Sequence, residues 1–264
     1  MLRSDEIEGK RRLERLTGSV NGFQNLETMK QGLLLSSRVP WFLGATAAAI
    51  LLGVVTAEFE VSAADKALKP LVLKLPEPTL RGTPEDLPSG PNIDPPPKED
   101  PAPFMLPEGS KNVSEGKKVT SSVKPFTGEL SQVTDGKKEA FDSDAIEMRS
   151  GSQWVQIDLG AEHALHAIVM WHDHRYIQIT RDVILQVSND PEFKTGVTTL
   201  YNNDFDDSSK QGAGKDKEYF ETRWGRVVDG KGTRARYVRG YSKGTSLTGL
   251  NCWQEIEVYG TDAP

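Results

Sequence analysis

Short segments that alternate apolar and polar side chains fill the chain after Pro107, and this alternation is the feature that most constrains the fold. A period of two places one side of a strand in a core and leaves the other in water. Loops rich in Gly, Asp, Asn and Ser separate the segments, and no convincing helical pattern interrupts them. Residues 107–261 are therefore predicted to form an all-β, antiparallel β-sandwich. The predicted strands are Lys118–Ser122, Trp154–Leu159, Leu165–Trp171, Val183–Ser188, Thr198–Tyr201, Ala235–Tyr241 and Trp253–Tyr259.

The sequence contains a single cysteine, Cys252. One cysteine cannot form an internal disulfide, and it cannot supply the several thiolates of a zinc or iron–sulfur site. The net charge of −6 also gives no general electrostatic attraction for nucleic acid. The domain must therefore fold by burial, and no nucleic-acid partner is expected.

The run Trp41–Ala57 holds 17 residues without a charge. As a helix it would be about 25 Å long, the lower limit for crossing a bilayer core. Basic residues precede it and two glutamates follow it closely, so the positive-inside rule places residues 1–39 in the cytoplasm. Residues 40–57 are then the signal anchor of a single-pass cell-membrane protein, or the hydrophobic region of a cleaved signal peptide in a secreted or periplasmic protein. Both interpretations export the C-terminal domain; a buried helix of a soluble domain is the alternative.

Between Glu58 and Pro107 lie 12 of the 16 prolines, with few aromatic residues and no sustained hydrophobic period. This composition predicts that residues 58–106 form a stiff, extended, proline-rich linker. At about 3.1 Å per residue, such a linker could hold a domain up to roughly 150 Å from its anchor.

Several segments of the C-terminal region match a known family in their order and spacing. They are Asn112-Val113-Ser114, Val133-Thr134-Asp135-Gly136, Trp154-Val155-Gln156-Ile157-Asp158-Leu159-Gly160, Gln186-Val187-Ser188-Asn189-Asp190, Ala235-Arg236-Tyr237-Val238-Arg239 and Glu255-Ile256-Glu257-Val258-Tyr259-Gly260. Together they resemble the discoidin domain, also called the coagulation factor V/VIII type C domain. The resemblance implies a jelly-roll β-sandwich of the galactose-binding type, whose ligands are met by loops at one end. Animal members often tie their termini with a disulfide, which a lone cysteine cannot do.

The resemblance also implies a structural calcium ion. Related carbohydrate-binding modules commonly hold calcium between the loop after the first strand and a glutamate on the last strand, and Asp135 and Glu255 resemble those two positions. Calcium binds about six to eight oxygen ligands, which carboxylates and loop carbonyls can supply. Ala140 departs from the pattern, because a hydroxyl-bearing residue is expected there. The alternative is that Asp135 only caps a turn.

A ligand site is predicted where the apolar strand ending at Trp171 enters a loop. An aromatic ring can stack on a sugar while His and Arg donate hydrogen bonds to its hydroxyls, as loop residues of the family do. An ordinary polar loop with a packed tryptophan is the alternative. The candidate ligand-binding residues are Trp171, His172, His174, Arg175, Asn203, Asp204 and Tyr241.

Two catalytic patterns are weaker. His172 and His174 would point the same way in an extended chain, as a zinc pair does, but no third ligand is specified by spacing. The run Gly240-Tyr241-Ser242-Lys243-Gly244 matches the nucleophile-elbow pattern, but neither a histidine nor a helical pattern follows it. We interpret that match as chance.

The sequence thus predicts a non-catalytic module that binds carbohydrate or a glycan-bearing surface outside the cytoplasmic membrane. The alternative is a structural or adhesive domain that contacts another protein without a small-ligand pocket. An exposed aromatic cluster around Trp171, Trp224 and Tyr241 would favour sugar, whereas an apolar patch on a sheet face would favour a protein partner. A metal-dependent hydrolase, the third class, requires His172, His174 and a carboxylate to converge.

Overall fold

The computed structural model describes residues 67–78, 87–139 and 144–263. The predicted cytoplasmic segment 1–39 and the predicted membrane segment 40–57 lie outside the described residues. Among the residues that are described, no helix combines the length and the apolar character needed to cross a membrane.

Strands dominate the described residues, and their pairings are antiparallel, so the predicted all-β antiparallel class is confirmed. A short 3₁₀ helix spans Leu130–Thr134. The strands are β1 Leu68–Pro70, β2 Met105–Pro107, β3 Lys111–Asn112, β4 Lys118–Ser121, β5 Ile146–Met148, β6 Gln153–Trp171, β7 Ile184–Ser188, β8 Thr198–Asn202, β9 Arg226–Ser242, β10 Asn251–Trp253 and β11 Glu255–Asp262.

The main sheet is centred on two long strands, β6 and β9. Its order is β3-β11-β6-β9-β7-β8, and β4 also pairs with β6. The pairing of β6 with β9 runs from Gln153↔Ser242 to Met170↔Arg226 and shifts register between Asp158 and His163. Such a bulge bends a strand, and Gly160, with a φ of +85°, lies within it. Two smaller sheets pair β10 with β5 and β1 with β2.

Strand boundaries differ from the sequence prediction at several places. Strand β9 begins at Arg226, nine residues before the predicted start at Ala235, and β1, β2, β3 and β5 were not predicted. The predicted strands Trp154–Leu159 and Leu165–Trp171 are one continuous strand, β6, because backbone pairing resumes after the bulge. The predicted strand Trp253–Tyr259 is divided at Gln254, whose N–H donates to the Trp171 carbonyl at 2.9 Å. Its two parts, β10 and β11, belong to different sheets.

The core follows the predicted alternation. Val155, Ile157 and Leu159 of β6 and Ile256 and Val258 of β11 are all buried in it.

Polar positions between these core residues were expected to face water, and several do not. Gln156 is buried because its amide donates to the Pro191 carbonyl at 3.1 Å, so the loop after β7 covers it. Glu257 is buried because the Lys138 ammonium reaches over β11 and pairs with it. Loops therefore cover parts of the outer sheet face that period-two alternation assigns to solvent.

A close contact between Gly240 and Trp253 joins β9 to β10. Trp253 is completely buried, and its Nε1 donates to the Ser242 hydroxyl at 3.1 Å. A Cβ at position 240 would lie 2.6 Å from the indole ring, so only glycine lets the ring approach this closely. The Ser242 hydroxyl in turn donates to Asn251 at 2.8 Å and is buried. Within the G-x-S-x-G match, Gly240 and Ser242 therefore have structural roles, because one admits the Trp253 ring and the other hydrogen-bonds to it.

The lone cysteine lies in this same region. Cys252 is opposite Glu147 in the β10–β5 pairing, and its thiol is free and buried. Burial raises the pKa of the thiol far above its ordinary value.

Described parts of the predicted linker are bonded to one another and to the sandwich. β1 pairs with β2, and the Leu71 N–H donates to the Phe104 carbonyl at 2.7 Å. Ile93 forms a parallel bridge with Glu218. We call residues 91–104 the strap. The proline content of the strap predicts a stiff backbone. It does not predict contact with the sandwich, because that contact is made with residues more than a hundred positions away, such as Glu218.

Replacing Gly240 with alanine is expected to lower the free energy of unfolding by about 1–3 kcal/mol, because the added methyl overpacks the Trp253 ring. The midpoint of chemical denaturation measures the effect. Gly249→Ala is the matched control, since its Cβ would meet only Ser150 at 3.4 Å. Equal midpoints for the two variants would contradict the packing role of Gly240.

Candidate functional site

Trp171 ends β6 inside the protein. Its ring is completely buried, its Nε1 donates to the Arg223 carbonyl at 2.9 Å, and the Lys138 ammonium lies 4.9 Å from the ring centroid. The strand does lead into a loop, as predicted. However, the segment around Arg223 covers the ring, so Trp171 presents no exposed face on which a sugar could stack.

His172 is also enclosed, in a buried polar group. Its Nδ1 lies 3.0 Å from Glu221 Oε1, and its ring packs against Trp253 with centroids 4.2 Å apart. The Thr180 hydroxyl donates to the same Glu221 oxygen at 2.6 Å. The second oxygen, Oε2, is buried without a hydrogen-bond partner among the described residues. His172 is therefore a buried residue beneath the loop, where it lies against Glu221 and Trp253.

His174 and Arg175 are held by neighbouring groups. His174 Nε2 donates to the Lys138 carbonyl at 2.9 Å. Arg175 makes two parallel hydrogen bonds to Asp173, at 2.8 and 2.9 Å. Burial raises the pKa of the Asp173 carboxyl above its ordinary value. Of the four candidates in this loop, only His174 lines the cavity described next.

A cavity of about 370 Å³ lies between this loop, the segment after β8 and the proline-rich region. The sandwich contributes His174, Ile177, Phe220, Glu221, Thr222, Arg223 and Trp224; the proline-rich region contributes Pro78, Pro96, Pro97 and Asp100. Its wall is mostly apolar, with a few polar groups, which is the usual composition of a small-molecule site.

Trp224 supplies the accessible aromatic ring of this cavity. It is partly exposed, and the Arg223 guanidinium lies 5.3 Å from its ring centroid. Of the aromatic cluster named from the sequence, Trp224 lies at the surface, whereas Trp171 and Tyr241 are buried. Sequence reasoning missed Phe220, Arg223 and the strap prolines, because no local pattern brings the strap to this loop. The one sequence feature that could have indicated this site is Trp224, a tryptophan in a polar loop just before β9.

Asn203, Asp204 and Tyr241 do not line this cavity. The Asn203 side-chain oxygen accepts from the Val183 N–H at 2.6 Å. Asp204 accepts from the N–H groups of Ser208 and Ser209 at 3.0 and 2.8 Å. Tyr241 is buried, and its hydroxyl lies 3.3 Å from the Arg239 guanidinium. These side chains satisfy backbone and strand groups, as Asn and Asp commonly do in loops.

Three carboxylates lie close together at a separate place. The oxygens of Asp182, Asp204 and Asp206 are within 4.8 Å of one another. Burial and the two neighbouring carboxylates raise the pKa of Asp182, although the Lys243 ammonium lies 3.7 Å away. In the described part of the chain, these three aspartates are the group of potential His, Cys, Asp or Glu ligands whose ligand atoms lie close enough together to hold one metal ion. His172, His174 and a carboxylate do not form such a group there, so the hydrolase geometry is not met by the described residues.

The predicted calcium position contains one suitable oxygen ligand. Glu255 is fully buried; its Oε2 accepts from the Gly136 N–H at 3.2 Å, and its Oε1 has no partner among the described residues. Burial, helped by the Glu257 carboxylate, raises the pKa of Glu255 to about 9. A buried carboxylate with a free oxygen fits a cation ligand.

Asp135 fits less well. Its Oδ1 accepts from the Lys137 N–H at 2.9 Å, as in a capped turn, and its Oδ2 lies 3.7 Å from the Lys137 ammonium. Ala140 lies outside the described residues. Of the two predicted ligands, Glu255 has an oxygen without a partner among the described residues, whereas both Asp135 oxygens lie near groups of Lys137.

The sequence matches no family model and no curated protein. Solved structures do show similarity. The CBM32 of AlyQ in complex with 4,5-unsaturated mannuronic acid is 17% identical, with 53% of this chain and 92% of that chain covered and a TM-score of 0.39. Chitosan-binding module 1 from a chitosanase/glucanase of Paenibacillus sp. IK-5 is 20% identical, with 57% and 99% covered and a TM-score of 0.41. CpGH89CBM32-4 of Clostridium perfringens, in complex with GlcNAc-alpha-1,4-galactose, is 14% identical, with 59% and 97% covered and a TM-score of 0.41.

Glu255 is expected to make stability depend on pH when no cation is bound. Its pKa is near 4.5 in an unfolded chain and about 9 in the folded protein, so the native state binds the extra proton between these values. The contribution of Glu255 to stability is therefore fully present below pH 4.5 and is lost as the pH rises toward 9. The melting temperature of the protein in chelator should fall over this range, and Glu255→Gln should flatten the fall.

Glu99→Gln is the control, because Glu99 is exposed and makes no hydrogen bond or ion pair with another described residue. If both variants follow the unsubstituted protein at every pH, Glu255 does not titrate in the way described.

Proposed function

We propose that this chain is a non-catalytic carbohydrate-binding module whose ligand occupies the cavity beside Trp224. The observation that carries the proposal is the partly exposed Trp224 ring in the wall of a cavity of about 370 Å³. Cavities of roughly 300–1,000 Å³ hold small ligands, and a sugar unit needs both an apolar surface and hydrogen-bonding groups.

The chemistry of the wall suits a pyranose. The C–H face of the sugar would lie against Trp224, with Ile177 and Phe220 adding apolar surface. The Arg223 side chain and the Thr222 hydroxyl are partly exposed in the same wall and can bond to sugar hydroxyls. His174 is mostly buried and fixes the loop through Lys138. The discoidin resemblance, which places ligands at the end loops, supports the same location.

Two further parts of the proposal concern the cellular setting and calcium. Residues 40–57 anchor the chain in the cell membrane or direct its secretion, so that the module meets glycans outside the cytoplasm. A structural calcium ion uses Glu255 as one ligand, and its charge would compensate the buried carboxylate there.

A glycan array probed with the full chain should show binding that Trp224→Ala weakens by about tenfold or more, because about 1.4 kcal/mol of aromatic contact is lost. Trp154→Ala is a closely matched control. Trp154 is also a partly exposed tryptophan under an arginine, since the Arg239 guanidinium lies 4.3 Å from its ring centroid, but it does not line the cavity.

Equal loss in both tryptophan variants would move the binding site elsewhere. A folded chain that binds no glycan would end the carbohydrate proposal and leave the protein-contact alternative.

Calcium is expected to raise the melting temperature of the full chain at pH 9, where about half of the Glu255 carboxyls have lost their proton and can serve as a ligand. The increase should disappear in Glu255→Gln and persist in Glu99→Gln. Isothermal titration with calcium chloride measures the same site directly, and heat of binding that survives Glu255→Gln would refute the assignment.

A further inference from the structure

The strap forms the outer wall of the candidate cavity, and it is tethered at its two ends. At one end, the Asp94 N–H donates to the Glu218 carbonyl and the Glu218 N–H donates to the Asn92 carbonyl, both at 2.9 Å. At the other end, the Leu71 N–H bonds to Phe104, which leads into the β1–β2 pair. Both tethers consist of backbone hydrogen bonds, which are individually modest in free energy.

Glu218 is itself fixed to the sandwich. The Arg181 guanidinium donates to both Glu218 carboxylate oxygens, at 2.8 and 2.7 Å. Glu218 is buried, whereas the additional Lys217–Asp94 pair, at 3.5 Å, is exposed. Because exposed pairs contribute little, the backbone bonds to Glu218 are the main connection at this end.

Between the tethers, the strap is not bonded to the sandwich. Residues 95–103 make no hydrogen bond or ion pair with another described residue. Five of these nine residues are prolines, which have no N–H to donate and which favour a stiff, extended backbone. The backbone of this span bends at Lys98 and Glu99, and because its only hydrogen bonds to the rest of the described protein are at its ends, it can move about those ends.

Packing beneath the strap is incomplete. Cavities of about 370, 400 and 240 Å³ lie along it, and Trp224 lines all three. These cavities open to solvent, so the strap covers this surface without the close packing of the core. Pro97 lines two of the three cavities, on the side facing Phe220 and Trp224.

We propose that residues 95–103 are a hinged gate of the cavity: the gate lifts about its tethers to expose Trp224, and on closing it places Pro96 and Pro97 against the bound ligand. The gate then controls access to the cavity when it lifts, and when it closes it forms a wall that limits which ligands fit. The identity of the ligand as a sugar rests on the proposed function; the movement of the gate does not.

The test weakens one tether. Asp94→Pro removes the N–H that donates to Glu218 and extends the run Pro95-Pro96-Pro97 by one proline. The population of the open state should rise about two- to tenfold, corresponding to one backbone hydrogen bond. In the full-length chain, trypsin should cleave after the gate residue Lys98 faster by that factor, since cleavage of a transiently opened segment follows its open population.

A second readout reports on the cavity. Acrylamide quenching of Trp224 fluorescence, obtained by difference from Trp224→Phe, should increase in Asp94→Pro. Asp94→Asn, which loses only the exposed ion pair with Lys217, should match the unsubstituted protein in both readouts.

Faster cleavage with unchanged Trp224 quenching would show that the strap loosens without controlling the cavity, and would overturn the gate. Unchanged cleavage in folded Asp94→Pro would overturn it as well. If a glycan binds, its association rate should rise in Asp94→Pro. If no glycan binds while both readouts respond as expected, the carbohydrate proposal fails and the gate stands.

Discussion

The antiparallel pairing of β6 with β9 is the interaction on which the rest of the structure depends. These two strands lie at the centre of the main sheet, and β4, β7 and β11 each pair with one of them. Their register places Gly240 opposite Val155, at the point where Trp253 needs close access. It also fixes where β6 ends, and so positions the loop that carries His172 and His174. A register slip of one residue would turn the core residues of β6 toward its outer face.

Much of this fold could be predicted from the sequence. Period-two alternation identified most strands, because the covalent pleat alone determines which residues share a face. It did not reveal that β6 is continuous, since pairing across a bulge depends on β9, about seventy residues further along the chain. The division at Gln254 is also a tertiary effect, because it follows from a bond to Trp171.

The candidate site was less predictable from the sequence, because remote segments of the chain decide which of its side chains are buried. The sequence placed His172 and Trp171 at the end of a strand, but it could not indicate that the segment around Glu221 and Arg223 lies over them. The same limit applies to Pro96 and Pro97, whose contact with the Trp224 loop has no local signature. Exposure depends on segments remote in sequence, whereas alternation is a local property.

The buried cysteine has a consequence if the domain is exported, as proposed above. Thiols outside the cytoplasm are readily oxidised, and a chain with one accessible cysteine can become covalently joined to a second copy. Cys252 is enclosed by the β10–β5 pair, and its raised pKa keeps it in the unreactive thiol form. The folded domain can therefore remain in an oxidising environment without forming crosslinked dimers, although it has no disulfide of its own.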